Sequence, residues 1–385
     1  MTIMTIPAKT IAQAVDWRHF LHSIPELAYE EWQTSAFVAE KLAGFGMTVQ
    51  TGFAGTGVVA SLTKGNSRRV IGLRADMDAL PINEVAEYRY RSQFAGKMHA
   101  CGHDGHMAML LAAASLAPEM NFDGTVRFIF QPAEEAEGGA LRMIEDGLFD
   151  MLPVDSVYGL HNWPALPPGA FVAGAGPIMA AFSIFSIEIC GKGAHGAMPH
   201  EGTDPIVAGC AVVSALQSVV SRNVSPLDTA VLSVTQIQAG DAYNVIPDRA
   251  IIRGTGRWFS KEVGDKLEAR VRKIANDIAS AHGCEAVIRY ERRYPATIND
   301  ATSAGVAREA AAKVGLTVLD AQPSMASEDF AFMLNAVPGA YAWIGSGRGP
   351  VNPGLHSPHF DFNDSVIPAG IAYWIHLIEV ELGSS

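Results

Sequence analysis

Four short segments gather side chains that bind metals: CGHDGH at 101–106, QPAEE at 131–135, GLHNWP at 159–164 and LHSPHFDFND at 355–364. Between them they offer a thiol, several imidazoles and a pair of adjacent carboxylates. Thiolate, imidazole and carboxylate together suit a transition metal such as zinc and disfavour magnesium or calcium. CGHDGH is the sharpest string, because its polar residues are packed where an apolar helix, HMAMLLAAASLA, is about to begin. Each piece has a plainer reading when isolated. A lone histidine after a strand is more often structural, Glu134 and Glu135 would usually open a solvated helix, and Cys101 would be a small core residue. The conjunction of all four makes a metal centre the stronger reading.

Convergence requires elements that bring distant segments together. QPAEE follows the apolar run VRFIF (126–130), His161 follows VYGL (157–160), and His356 lies beyond AYAWIG (340–345). A fourth acidic segment, ADMD at 75–78, directly follows VIGLR at 70–74. Helical patterns cover roughly 10–22, Glu31 to Leu42, 106–117 and 137–147. Strands alternating with helices predict an α/β fold with a mainly parallel, doubly wound sheet, in which ligands gather outside the carboxyl ends of the strands.

The texture changes after about residue 182. FSIFSIEICG reads as a strand, and Asp204 with Pro205 opens a helix whose stripe is Ile206, Cys210, Val213, Leu216 and Val220. Two strands follow, then a helix capped by Ser260 with the stripe Val263, Leu267, Val271, Ile274 and Ile278, then EAVIRYE. That order, β-α-β-β-α-β, is a complete small α+β unit. The expected organisation is a catalytic α/β domain in two parts, residues 1–182 and 294–385, interrupted by an inserted lid or dimerisation domain at 183–293.

Composition removes other classes. The 385 residues are 49% apolar and 18% charged, which excludes disorder. With 40 acidic and 28 basic side chains the net charge is -12, which argues against sequence-independent nucleic-acid binding. The N-terminal MTIMTIPAKTIAQ lacks the basic flank and apolar core of a secretory signal. The longest uncharged stretch, Ser156 to Ile187, is broken by prolines and glycines, so no membrane association is expected. Cys101, Cys190, Cys210 and Cys284 form no CxxC pair, so a reducing cytoplasm is the expected compartment. GKGAHG at 191–196 formally fits a dinucleotide fingerprint, but Pro199 and Gly202 stand where its helix should open and no acidic residue follows at the required distance.

Nine segments in order, PELAYEE, GLRADMDALP, MHACGHDGH, FIFQPAEE, GLHNWP, GKGAHGAMPH, AGDAYNVIPD, SEDFAFML and LHSPHFDFND, resemble the M20 family of metallopeptidases over nearly the whole chain. The likeness is to its amidohydrolase branch, which includes hippurate hydrolases, N-acyl-amino-acid amidohydrolases and auxin-conjugate hydrolases. The resemblance implies a zinc-peptidase-like catalytic domain with an inserted lid that often mediates dimerisation, giving a homodimer or tetramer. It implies two divalent ions per subunit, zinc, manganese, cobalt or nickel, held by Cys101, His103, Glu135, His161 and His356. Glu134 matches the general base, and Asp78 matches the aspartate that supports the site. Asp76 stands where other branches keep a ligand histidine. On the lid, His195 matches the donor to the oxyanion, Asn244 a contact to the substrate carbonyl or carboxylate, and Arg257 a partner for the free carboxylate. Two departures stand out: Ala136-Glu137 after the paired glutamates, and PSMASEDF at 323–330, where glycine usually precedes the acidic pair.

The implied activity is hydrolysis of N-acyl amino acids to a carboxylic acid and an amino acid by metal-activated water. The nearest alternatives are a dipeptidase or aminopeptidase of the same family, and a non-catalytic binding member lacking a ligand or the base.

Overall fold

The computed structural model describes residues 6–135, 138–349 and 353–383. The chain forms two compact units. The first comprises Met1–Ile178, Thr297–Gln322 and Asp329–Ser385; the second comprises Met179–Ala296 and Pro323–Glu328. The Ala136-Glu137 departure lies outside the described residues.

The first unit is α/β. Its sheet runs in the order Thr48–Phe53, Gly57–Lys64, Gly124–Gln131, Val70–Asp76, Ser156–Trp163, Gly339–Gly345, Ala170–Val172 and Thr317–Leu319. The four strands that lead into the chemical segments, Gly124–Gln131, Val70–Asp76, Ser156–Trp163 and Gly339–Gly345, form a parallel centre. Antiparallel pairings flank it, Gly57–Lys64 on one side and Ala170–Val172 on the other, so the sheet is mixed. The added strand Thr48–Phe53 joins its neighbour through a tight turn at Ala54 and Gly55, both with positive φ. The helix His103–Leu116 is apolar on every side, MAMLLAAASL, and is accordingly buried along almost its whole length. Helices Ala8–Ser23, Trp32–Gly44, Ala301–Lys313 and Ile367–Leu382 share one hydrophobic core with it and with the sheet.

The second unit carries a four-stranded antiparallel sheet in the order Ala230–Ala239, Arg249–Trp258, Ala181–Cys190 and Glu285–Tyr294. Helices Pro205–Asn223 and Lys261–Ala281 pack on it and on each other around one core. Asp204 accepts N–H bonds from Ile206 and Val207, and Ser260 accepts one from Val263, so both helices start at their capping side chains.

The Pro205–Asn223 helix corrects the face read from its periodicity. Its buried residues are Pro205, Ala208, Gly209, Val212, Leu216 and Val219, whereas Ile206 is 39% exposed and Cys210 is exposed. Only Leu216 of the predicted stripe is fully inside; Val213 and Val220 pack at its edge. The reason is close approach. Small Ala208 and Gly209 let the helix settle on Ala250 and Ile252, and a Cβ at Gly209 would already touch both side chains. Hydrophobicity selected the bulky residues, while packing selected the small ones. This helix and the C-terminal one are also long and apolar enough to cross a membrane by composition alone; the C-terminal one is mostly buried in the first unit's core.

Candidate metal centre

The Val70–Asp76 strand delivers the first acidic group. Asp76 Oδ1 lies 2.6 Å from His106 Nδ1, and Asp76 Oδ2 accepts a bond of 2.7 Å from Arg74 Nη1. Burial opposes ionisation of Asp76, but His103, His106 and Arg74 outweigh it and hold the carboxyl well below the usual range. Both its oxygens are thus engaged. Two residues on, Asp78 joins three parts of the site. Its Oδ1 accepts the Glu134 N–H and its Oδ2 the Glu135 N–H, each at 3.0 Å, while its backbone carbonyl accepts from His103 Nδ1 at 2.8 Å.

The next group comes from the start of the His103–Leu116 helix. Gly102, with φ 95°, turns the chain into it, and a Cβ there would fall 2.5 Å from Asn162 Nδ2. The helix therefore begins at His103, three residues earlier than the apolar run indicates. His103 is completely buried, and its Nε2 has no hydrogen-bond partner among the described residues; it lies 3.8 Å from Asp76 Oδ2 and 3.9 Å from Glu135 Oε1.

Cys101 and His161 meet beside it. Cys101 Sγ is 3.4 Å from His161 Nε2. His161 sits on the Ser156–Trp163 strand rather than beyond it, because pairing with the neighbouring strand continues past it. Its Nδ1 donates to the Asn162 carbonyl at 2.6 Å, which leaves Nε2 directed at the thiol; burial keeps the ring neutral. Burial, together with Glu135 and Glu134, pushes the Cys101 thiol well up. His356 enters from a loop with φ 64°, and its N–H donates to the Ala100 carbonyl at 2.8 Å. Its Nε2 lies 3.1 Å from Glu135 Oε1, and hydrogen bonding to that carboxylate raises its pKa. The His356 side chain is 53% exposed, so the cluster opens to solvent on this side.

These groups fit a cation. Ligand atoms of Cys101, His103 and Glu135 all lie within 4.8 Å of one another. A fully buried imidazole nitrogen without a partner is costly unless something satisfies it, and here it faces carboxylates beside a thiol and a neutral histidine. His106 also lies within reach, but both its nitrogens are used: Asn162 N–H donates to Nε2 at 2.9 Å, so Nδ1 carries the proton shared with Asp76. It is a support, which spacing within CGHDGH could not distinguish from a ligand.

Glu134 is buried on the same loop. The turn depends on Ala133, with φ 56°, whose N–H donates to Glu31 Oε1 at 2.9 Å. Gly139 is required behind it, since a Cβ would fall 1.8 Å from the Pro132 carbonyl oxygen. Glu31 also accepts from Thr56 Oγ1 at 2.6 Å, and burial lifts its pKa to about 7. Asp329, from SEDF, accepts from Gln131 Nε2 at 2.8 and 2.9 Å, from Arg74 Nη2 at 3.2 Å and from Ala140 N–H at 2.8 Å. It ties the strand end to the following helix. Neither Glu31 nor Asp329 was singled out by residue type alone. His99 is buried with both ring nitrogens unpartnered among the described residues, and burial lowers its pKa to about 3.

The remaining candidates belong to the second unit. His195 closes the short strand Ala194–His195, opposite Val245, and its Nδ1 accepts the Ala197 N–H at 3.0 Å. The Asn244 carbonyl accepts the Gly196 N–H at 2.7 Å, so the two residues share one ribbon, both exposed. Arg257 stands apart on Arg249–Trp258, where Nη1 donates to Ser327 Oγ at 2.6 Å and to the Met325 carbonyl at 3.3 Å, and the guanidinium lies 4.7 Å over the Phe182 ring.

Residues 72–380 match the family described as Peptidase family M20/M25/M40. The chain is 42% identical to an N-acetyl-L-cysteine deacetylase of Bacillus subtilis, over 92% of this chain and 85% of that protein. It is 41% identical to a hippurate hydrolase of Campylobacter jejuni, over 94% of each. Among solved structures, the YXEP protein of Bacillus subtilis, a dinuclear metal-binding peptidase of the M20 family, is similar at a TM-score of 0.85 with 34% identity, covering 97% of this chain and 98% of that one.

Proposed function

The chain belongs to peptidase family M20/M25/M40, and we propose that it is a two-metal amidohydrolase cleaving the amide bond of N-acyl amino acids. The observation that carries the reading is the buried Nε2 of His103, unpartnered among the described residues and facing the Glu135 carboxylate beside the Cys101–His161 pair. Cys101, His103, Glu135, His161 and His356 would hold the ions. Zinc, manganese, cobalt and nickel all suit this mixed donor set. Divalent cations bound there would supply a Lewis acid and lower the pKa of water to about 7.

The protein's own residues do the rest. Glu134 takes the proton of the attacking water and delivers it to the leaving nitrogen. Asp78 keeps Glu134 and Glu135 in their separate directions by holding both their N–H groups. His195 donates to the oxyanion of the tetrahedral intermediate. Asn244 contacts the substrate carbonyl or carboxylate. Arg257, with one nitrogen engaged by Ser327, offers its remaining donors to the free carboxylate. N-acetyl-L-cysteine and hippurate, for which the two relatives are named, each join an acyl group to an amino acid through an amide, which supports this substrate class. We assign the enzyme to the cytoplasm, in keeping with four free cysteines, and to a homo-oligomer formed through the second unit, whose edge strand leaves Val231 and Ile237 exposed.

The test is a panel of N-acyl amino acids and dipeptides, read as released amine, on chelated and metal-reloaded protein. Reloading restores turnover on N-acyl amino acids. Glu134→Gln keeps its metal and loses about 10²- to 10⁴-fold in rate. Wild-type turnover by Glu134→Gln would remove the base assignment, and cleavage of dipeptides alone would replace the substrate class.

A further inference from the structure

The helix Ala8–Ser23 lies outside every segment rich in ligand-type residues, yet it carries a completely buried arginine, Arg18. Its Nε donates to Asp104 Oδ2 at 2.8 Å, and its Nη2 donates to Asp361 Oδ1. Asp104 directly follows His103, and Asp361 stands five residues beyond His356. One guanidinium thus bridges the two segments that bring those histidines in. Neither carboxylate is needed elsewhere in the cluster described above.

Other contacts run the same way. Asp104 Oδ2 also faces His22 Nδ1 at 2.8 Å, and His22 Nε2 faces Glu84 Oε1 at 3.1 Å. Val85 N–H then donates to the Pro358 carbonyl at 3.1 Å, so the same helix reaches the His356 loop by a second route. Between the two segments the Phe362 ring lies against Gly105, where a Cβ would fall 2.4 Å from it. Arg348 Nη2 holds the outer oxygen of Asp361 at 2.6 Å.

A buried ion network is a poor source of net stability, because desolvation offsets most of its Coulombic gain. What it supplies is geometry. The planar fork of arginine can serve two carboxylates at a fixed separation, whereas a lysine ammonium is a single flexible point charge. We propose that Arg18 is a positioning residue for the cation centre, setting the separation of His103 and His356 by bridging Asp104 and Asp361. The proposal rests on the two-metal reading of that centre. Residues that orient metal ligands from behind typically control affinity by about 10- to 100-fold.

Cobalt(II) alone is the probe, titrated into folded, metal-free full-length protein in competition with a chelator, with its visible absorption recorded. Arg18→Lys is expected to keep its far-UV circular dichroism, bind cobalt about 10- to 100-fold more weakly and show an altered visible spectrum. Asp361→Asn, which removes the charge at the outer end of the bridge and sets an NH₂ opposite one of the two guanidinium groups that Asp361 serves, is expected to change affinity and spectrum in the same direction, and it decides the matter if Arg18→Lys does not fold. Lower melting temperature with unchanged cobalt affinity and spectrum would overturn the proposal, since a purely structural arginine would behave that way. Failure of the wild-type protein to bind cobalt would instead overturn the metal-centre reading on which the proposal stands.

Discussion

Asp78 does three jobs with one residue. Two carboxylate oxygens receive two successive N–H groups, and its carbonyl fixes the His103 ring so that Nε2 points inward. Asp78→Asn leaves one of those N–H groups opposite an NH₂, which costs about 1–3 kcal/mol at a buried donor. We expect metal affinity to fall about 10- to 100-fold with the fold retained, measured by chelator competition. Unchanged affinity would mean that the Glu134-Glu135 loop is held by other contacts. Asp78 was visible in the sequence because it stands in a short acidic string after a strand. Glu31 was not, because the N–H it receives belongs to Ala133, 102 residues away. His106 was visible only as a metal-ligand type; that both its nitrogens are occupied depends on Asn162 and Asp76, which folding brings to it.

At the scale of elements, the chemistry depends on how closely two segments approach. The helix that starts at His103 can sit against the Phe362 ring only because residue 105 has no side chain. Gly105→Ala places a methyl 2.4 Å from a fully buried ring that cannot swing away. Overpacking of this kind costs about 1–3 kcal/mol, so the urea midpoint of the metal-free protein should drop. An unchanged midpoint would show that the segment shifts freely. The sequence carried most elements of the first unit, since apolar runs bounded by glycine and proline marked the strands that end at the site. It did not carry the antiparallel outer pairings, which follow from turns such as Ala54-Gly55, or the buried face of Pro205–Asn223. There the deciding residues are an alanine and a glycine, which contribute little to any hydrophobic periodicity.

For the whole molecule, a mixed sheet gathers residues from Asp76 to His356 at one place in the first unit, while His195, Asn244 and Arg257 stand on the second. The family and the α/β class follow from motifs spread along the entire chain, so they were legible without coordinates. The proposal for the first unit is that Cys101, His103, Glu135, His161 and His356 hold two cations. Its most direct test is anomalous diffraction from crystals of the manganese-loaded protein. Two anomalous peaks about 3.5–4 Å apart, within bonding distance of those five side chains, are expected. A single peak, or peaks placed away from His103 and Glu135, would contradict it.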